Sequence, residues 1–217
     1  MEKVPLRSLG ALAGPDRTAV VLVDVQRVFT GLPLSPPVAG VLGNLRRFLD
    51  GARALDVPIV VVRIVVPPEL SSSVWRRQFP RLDGDWLDPG TPNVDYEPGF
   101  EPREGDVVVT KPRYSAFLGT PLEAILRARD VRTVVVAGLT TDVCVGSTAR
   151  DAFQRDLNVV TLADCCAEMT QARHESALAT LADTFGTVCA STELLAFWRA
   201  RRSPPSSEGT GADAASP

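Results

Sequence analysis

Three side chains in this sequence could do covalent chemistry if they met: a carboxylate, Asp24, in "VLVDVQRVF"; an ammonium, Lys111, in "VVVTKPRYSAF"; and a thiol, Cys144, in "VVVAGLTTDVCVGSTARDAF". A thiol of ordinary pKa is mostly protonated at neutral pH and needs a base before it can attack a carbonyl. A carboxylate can take that proton, while an ammonium and a helix N-terminus stabilise the developing thiolate. The turn "GLTTDVC" can aim backbone N–H groups at an oxyanion, with Gly138 allowing the sharp bend. Gly146 and Ser147 are expected to let a substrate approach the helix that follows. Each residue also has a plainer reading: Asp24 as a turn cap, Lys111 as a solvated loop lysine, Cys144 as a buried core thiol.

The elements around them decide whether they converge. Short Val/Ile/Leu runs at 18–24, 57–66, 106–110, 132–138, 158–164 and 186–191 read as strands. Their continuity, in place of strict alternation, suits a sheet covered on both faces. Between them lie helical patterns over 38–55, in "TPLEAILRARD" with a Thr cap and Pro at the first position, after Cys144, in "HESALATLADTF" and in "TELLAFWRA". The alternation predicts an α/β fold with helices covering both faces of the sheet. In such sheets ligands sit beyond the carboxyl ends of the strands. Asp24 ends the first strand, Lys111 follows the third, and Cys144 follows the fourth through its turn, so all three fall on one edge.

The rest of the composition narrows the chemistry. The chain has 217 residues, 45% apolar and 23% charged, with a net charge of −3. This offers no basic footprint for nucleic acid and no apolar run long enough for a membrane. The N-terminus lacks a signal-peptide core, so the cytoplasm is the expected compartment. The four cysteines are read as reduced thiols, with Cys165, Cys166 and Cys189 as buried structural residues. A single histidine, His174, cannot supply a His-rich zinc or iron site, and it is read as structural or capping. Neither metal nor cofactor is expected. Residues 67–105 form a long Pro/Gly-rich loop carrying Trp75, Phe79, Trp86, Tyr96 and Phe100, of the kind that shapes a binding site. Residues 1–200 are expected to form one domain and 201–217 a disordered tail.

With these residues in view, the sequence resembles the isochorismatase-like hydrolase superfamily, in its cysteine-hydrolase branch. Asp24, Gln26 and Phe29 match the family's D-x-Q-x-x-F signature. Lys111, Tyr114, Ser115 and Phe117 match its lysine segment, and the stretch around Cys144 matches its nucleophile segment. The resemblance implies a three-layer α/β/α fold with a central, mostly parallel six-stranded sheet, Rossmann-like, and an Asp–Lys–Cys triad: Asp24 as base and later acid, Lys111 orienting it, Cys144 as nucleophile. It also implies a cis peptide at Leu139–Thr140, with the N–H groups of Thr140 and Cys144 as oxyanion hole. Phe29 and Tyr114 are pocket walls by family position, and Trp86 by its place in the long loop; Leu139 is a fourth candidate.

The departures from the family pattern matter too. Val28 stands where many relatives have an acid. The histidines of metal-binding nicotinamidases have no counterpart between the first and third motifs, and isochorismatases proper lack the cysteine. The sequence is most similar to ureido- and carbamoyl-cleaving members. The expectation is a metal-independent cysteine hydrolase of a small amide, ureido or carbamoyl compound, homo-oligomeric (dimer or tetramer) as the family commonly is. The apolar "LLAFW" segment is open to a role in an interface or in the chain's own core. Two other readings remain: vinyl-ether hydrolysis with Asp24 as acid, and a non-catalytic binding or scaffold protein.

Overall fold

Six runs of β-branched residues become six strands. The structure is a computed structural model that describes residues 10, 13–78 and 86–202. Along the chain it places β1 (Thr18–Val23), α1 (Arg27–Thr30), α2 (Val38–Arg53), β2 (Ile59–Ile64), α3 (Ser73–Gln78) and β3 (Val107–Lys111). Then come α4 (Leu122–Ala128), β4 (Thr133–Leu139), α5 (Gly146–Phe153), β5 (Asn158–Ala167), α6 (Gln171–Thr180), β6 (Thr187–Cys189) and α7 (Ser191–Arg202). The sheet order is β3-β2-β1-β4-β5-β6 and all five pairings are parallel. Every residue of β1 and β4 is buried, which is why those runs carry no polar alternation. The order reverses between β1 and β4, where doubly wound sheets open a crevice.

Helices cover both faces. On one, α2 sets Val41, Leu42, Leu45, Phe48, Leu49 and Ala52 inward, the spacing expected of an amphipathic helix. Phe48 meets Trp198 of α7 with ring centroids 5.7 Å apart, and Trp198 Nε1 donates to Ala13 O at 2.9 Å. Leu194, Leu195 and Trp198 are all buried, so "LLAFW" packs chiefly into the chain's own core. On the other face, Arg155, just past the end of α5, reaches Glu123 of α4, Nε to Oε2 at 3.0 Å.

Several expectations are revised. β5 continues through Ala167, past a register shift opposite Val136–Gly138, so Cys165 and Cys166 lie within the strand and not after it. Pro121 precedes the first turn of α4, and the hydroxyl of Thr120 accepts from Leu122 N at 3.2 Å. The 67–105 segment holds α3 and two single-turn 3-10 helices, Pro68–Leu70 and Pro92–Val94, and is not one continuous loop. Helix α7 runs through Arg202, into the stretch expected to be disordered; residues 203–217 and Phe79 lie outside the described residues. No helix among the described residues is long and apolar enough to cross a membrane.

Candidate active site

Each of the three reactive side chains owes its position to a local feature of the sheet. Asp24 directly follows β1, with a left-handed φ of 50° and its N–H bonded to Val62 O at 3.0 Å. Asp tolerates that conformation better than most residues. β3 is an edge strand with Val108 and Thr110 exposed and Val109 and Lys111 buried. The two-residue period therefore turns the Lys111 side chain inward. Lys111 is in register with Ile64 of β2, and its ammonium reaches past that strand to Asp24, with Nζ 2.7 Å from Oδ2. Both side chains are 0% exposed. The remaining two ammonium donors go to Arg113 O at 3.0 Å and Tyr114 O at 2.8 Å.

The third strand end is the turn that carries Cys144. Gly138 pairs with Val23 of β1 at φ 125°, and a Cβ there would lie 2.0 Å from Val23 O. Only glycine fits so close to a neighbouring backbone. The Leu139–Thr140 peptide is cis. Residues Thr141–Val145 then form one wide π turn that leads into α5, so Cys144 sits in that turn and not in the first turn of a regular α-helix. Gly146 serves a different purpose from the one expected. A Cβ at that position would meet the Arg150 guanidinium at 2.6 Å, so the glycine makes room for Arg150 and not for a substrate.

Electrostatics set the resting protonation. Burial pushes the Asp24 carboxyl above the usual carboxylate range, and the Lys111 charge opposes this only in part. For Lys111, burial favours the neutral amine, but Asp24 and Cys144 together outweigh it and hold the ammonium charged. Burial likewise drives the Cys144 thiol well above its usual value, against the pull of Lys111. The expected thiolate stabilisation by the ammonium and a helix N-terminus is thus overridden by desolvation, and the resting group is a thiol. Asp24 and Lys111 act on it in opposite directions, the carboxylate raising the thiol and the ammonium lowering it. A raised carboxyl beside a protonated thiol is arranged for proton transfer during attack.

Beside the three groups opens a cavity of about 390 Å³, which Cys144 borders while Asp24 and Lys111 lie buried behind it. Cys144 lines it, together with Phe29, Trp86, Tyr114 and Thr140, all expected near the site. Phe29 and Trp86 meet edge to face at 5.8 Å, and Trp75 packs against Tyr114 at 5.1 Å. Leu139 is a correction: it is 0% exposed and is absent from the lining, because the last strand residue points into the core. Trp75, which the sequence placed in the site-shaping loop, also lines the cavity, whereas sequence reasoning missed Gln78 of α3 and Glu168 and Arg173 from the β5–α6 region. His174, expected to be structural or capping, has its Nδ1 2.8 Å from the Thr141 hydroxyl, against the turn that carries Cys144. Burial lowers its pKa, favouring the neutral imidazole.

Comparison with known proteins decides the lineage. The isochorismatase domain family matches residues 18–193. This chain belongs to the isochorismatase family. Ureidoacrylate amidohydrolase RutB of Agrobacterium fabrum is 32% identical over 74% of this chain and 80% of its own length. The protein of the same name from Methylobacterium radiotolerans is 31% identical over 98% of this chain and 90% of its own length. Among solved structures, a cysteine hydrolase from Pseudomonas syringae pv. phaseolicola superposes with a TM-score of 0.78. It is 31% identical, over 86% of this chain and 94% of that one.

Proposed function

We propose that this family member is a cysteine hydrolase that cleaves a C–N bond, other than a peptide bond, in a small ureido, carbamoyl or amide compound. The observation that carries this reading is the burial of Asp24, Lys111 and Cys144 together at the carboxyl ends of β1, β3 and β4, beside a cavity of about 390 Å³. The names of the relatives support the same bond type.

The reaction follows from the protonation states. Asp24 accepts the Sγ proton as the sulfur attacks the substrate carbonyl carbon. Oxygen charge in the tetrahedral adduct is stabilised by the N–H groups of Thr140 and Cys144, two residues that line the cavity. Asp24 returns the proton to the departing nitrogen, and the C–N bond breaks to leave a thioester or thiocarbamate on Cys144. Water then adds to that carbonyl, giving up its proton to Asp24. Collapse of the adduct expels Sγ, which regains the proton. Lys111 stays charged throughout and keeps Asp24 in place. Vinyl-ether hydrolysis would need only an acid and leaves Cys144 without a task. A binding scaffold would have no use for a buried ion pair, which adds little stability on its own.

Arg173 is the only cation among the described residues that line the cavity, which favours a substrate with an acidic end. Four free, buried thiols suit the reducing cytoplasm. The test is ammonia release and ring opening across ureido acids, carbamoyl amino acids, simple amides and cyclic imides. Turnover of the acidic ureido or carbamoyl compounds, lost in Cys144→Ala, is expected. Cleavage retained in Cys144→Ala would refute the reading.

A further inference from the structure

The nucleophile turn is held from one side by the β5–α6 junction, at two successive residues. The Thr141 hydroxyl meets His174 Nδ1 at 2.8 Å, and Asp142 N–H donates to Glu168 Oε2 at 3.1 Å. Glu168 is only 1% exposed. Its other oxygen, Oε1, accepts from Met169 N at 3.0 Å and lies 3.5 Å from the Arg173 guanidinium. Its backbone is fixed as well, exchanging hydrogen bonds with Ser35 at 2.7 and 2.9 Å. Arg173 also reaches Asp142 Oδ2 at 3.5 Å, and Arg150 lies 3.9 Å from Asp142 Oδ1.

This arrangement is more than packing requires. A carboxylate so deeply buried is unfavourable unless its charge is met by directed donors. Here one of those donors is a main-chain N–H two residues before Cys144, inside the turn that also carries Thr140. The contacts of Arg173 to the two carboxylates are long for charge-assisted bonds, so the guanidinium stays available to the cavity while Glu168 stays on the turn.

We propose that Glu168 is a positioning residue: its buried carboxylate fixes the Asp142 N–H and thereby sets Cys144 against Asp24. The proposal rests on the cysteine-hydrolase reading, but it is tested in part without any substrate. Glu168→Gln keeps the size and one acceptor oxygen, and it removes the charge and the second acceptor. Two readouts are taken on the full chain. One is the rate at which iodoacetamide alkylates Cys144, followed by mass spectrometry of its peptide. The other is kcat and KM on the best compound of the ureido panel.

The expected result is a fall in kcat of about 10- to 100-fold, the scale of a small misplacement of reacting groups. KM should not rise, and alkylation should slow by about tenfold, since deprotonation by Asp24 depends on the same geometry. Unchanged kcat and alkylation would overturn the proposal. So would a raised KM with unchanged alkylation, which would make Glu168 a substrate contact only. If the unmodified protein turns over no panel compound yet the variant alkylates more slowly, the functional reading fails and the positioning role stands. Should Glu168→Gln not fold, Glu168→Asp, which keeps the charge but withdraws it by one methylene, is read in the same way.

Discussion

Replacing Lys111 with Met removes the ammonium while keeping most of the side-chain length, and the consequences can be worked from the geometry. In the native site Lys111 Nζ lies 2.7 Å from Asp24 Oδ2, and both side chains are fully buried. Breaking such a pair leaves an uncompensated buried charge and costs about 3–5 kcal/mol. That is tolerable against a typical stability of about 5–15 kcal/mol, so the variant is expected to fold. The loss should depend on pH. Asp24 already holds its proton more tightly than an ordinary carboxyl, and without Lys111 the largest opposing influence is gone. A group whose folded pKa exceeds its unfolded pKa contributes stability that is fully present below the unfolded value and is lost as pH rises through the folded value. Urea unfolding should therefore show the full penalty near about pH 8 and a clearly smaller one near about pH 5. At neutral pH the neutral Asp24 would no longer accept the thiol proton, and kcat should fall about 10²- to 10⁴-fold. Equal destabilisation at both pH values, or a loss below about 1 kcal/mol, would refute the buried-pair reasoning.

Other perturbations probe the same frame. Asp24→Asn should leave Cys144 without its base, and kcat should fall about 10²- to 10⁴-fold. Because the Asp24 charge is one of the influences raising the thiol, the pH at which alkylation accelerates should move down from that of the intact protein, as rate measurements against pH would show. In the intact protein the acid limb of the kcat/KM profile should lie above the ordinary carboxylate range, since burial raises Asp24 and the base must be ionised to work. Gly138→Ala places a Cβ 2.0 Å from Val23 O at a φ of 125°, and thermal melting should reveal a loss of at least about 3 kcal/mol or no folded protein.

Much of this molecule was legible in its sequence for definite physical reasons. Strands buried on both faces must be uninterrupted Val/Ile/Leu runs, so β1, β2 and β4 announced themselves, and their ends located Asp24 and the nucleophile turn. Gly138 was legible because nothing larger passes so close to β1. Other features depended on packing that no local pattern records. Leu139 looked like a wall beside Cys144, but it ends a strand covered on both faces and is buried in the core. Gly146 looked like an opening for substrate, but the space beside it holds Arg150. Glu168 and Arg173 follow a strand as ordinary charged residues would, and only the sheet order brings them against Asp142. The thiol was expected to be acidified by its helix; its enclosure, a property of the folded cavity, reverses the direction.

The central claim is that Cys144 forms the covalent intermediate. Its most direct test is rapid acid quench during turnover of a ureido or carbamoyl substrate, followed by mass spectrometry of the intact chain and its peptides. The account predicts a transient acyl or carbamoyl mass increment confined to the peptide containing Cys144, and neither adduct nor turnover in Cys144→Ala. Full turnover by Cys144→Ala, or an adduct on another residue, would contradict it.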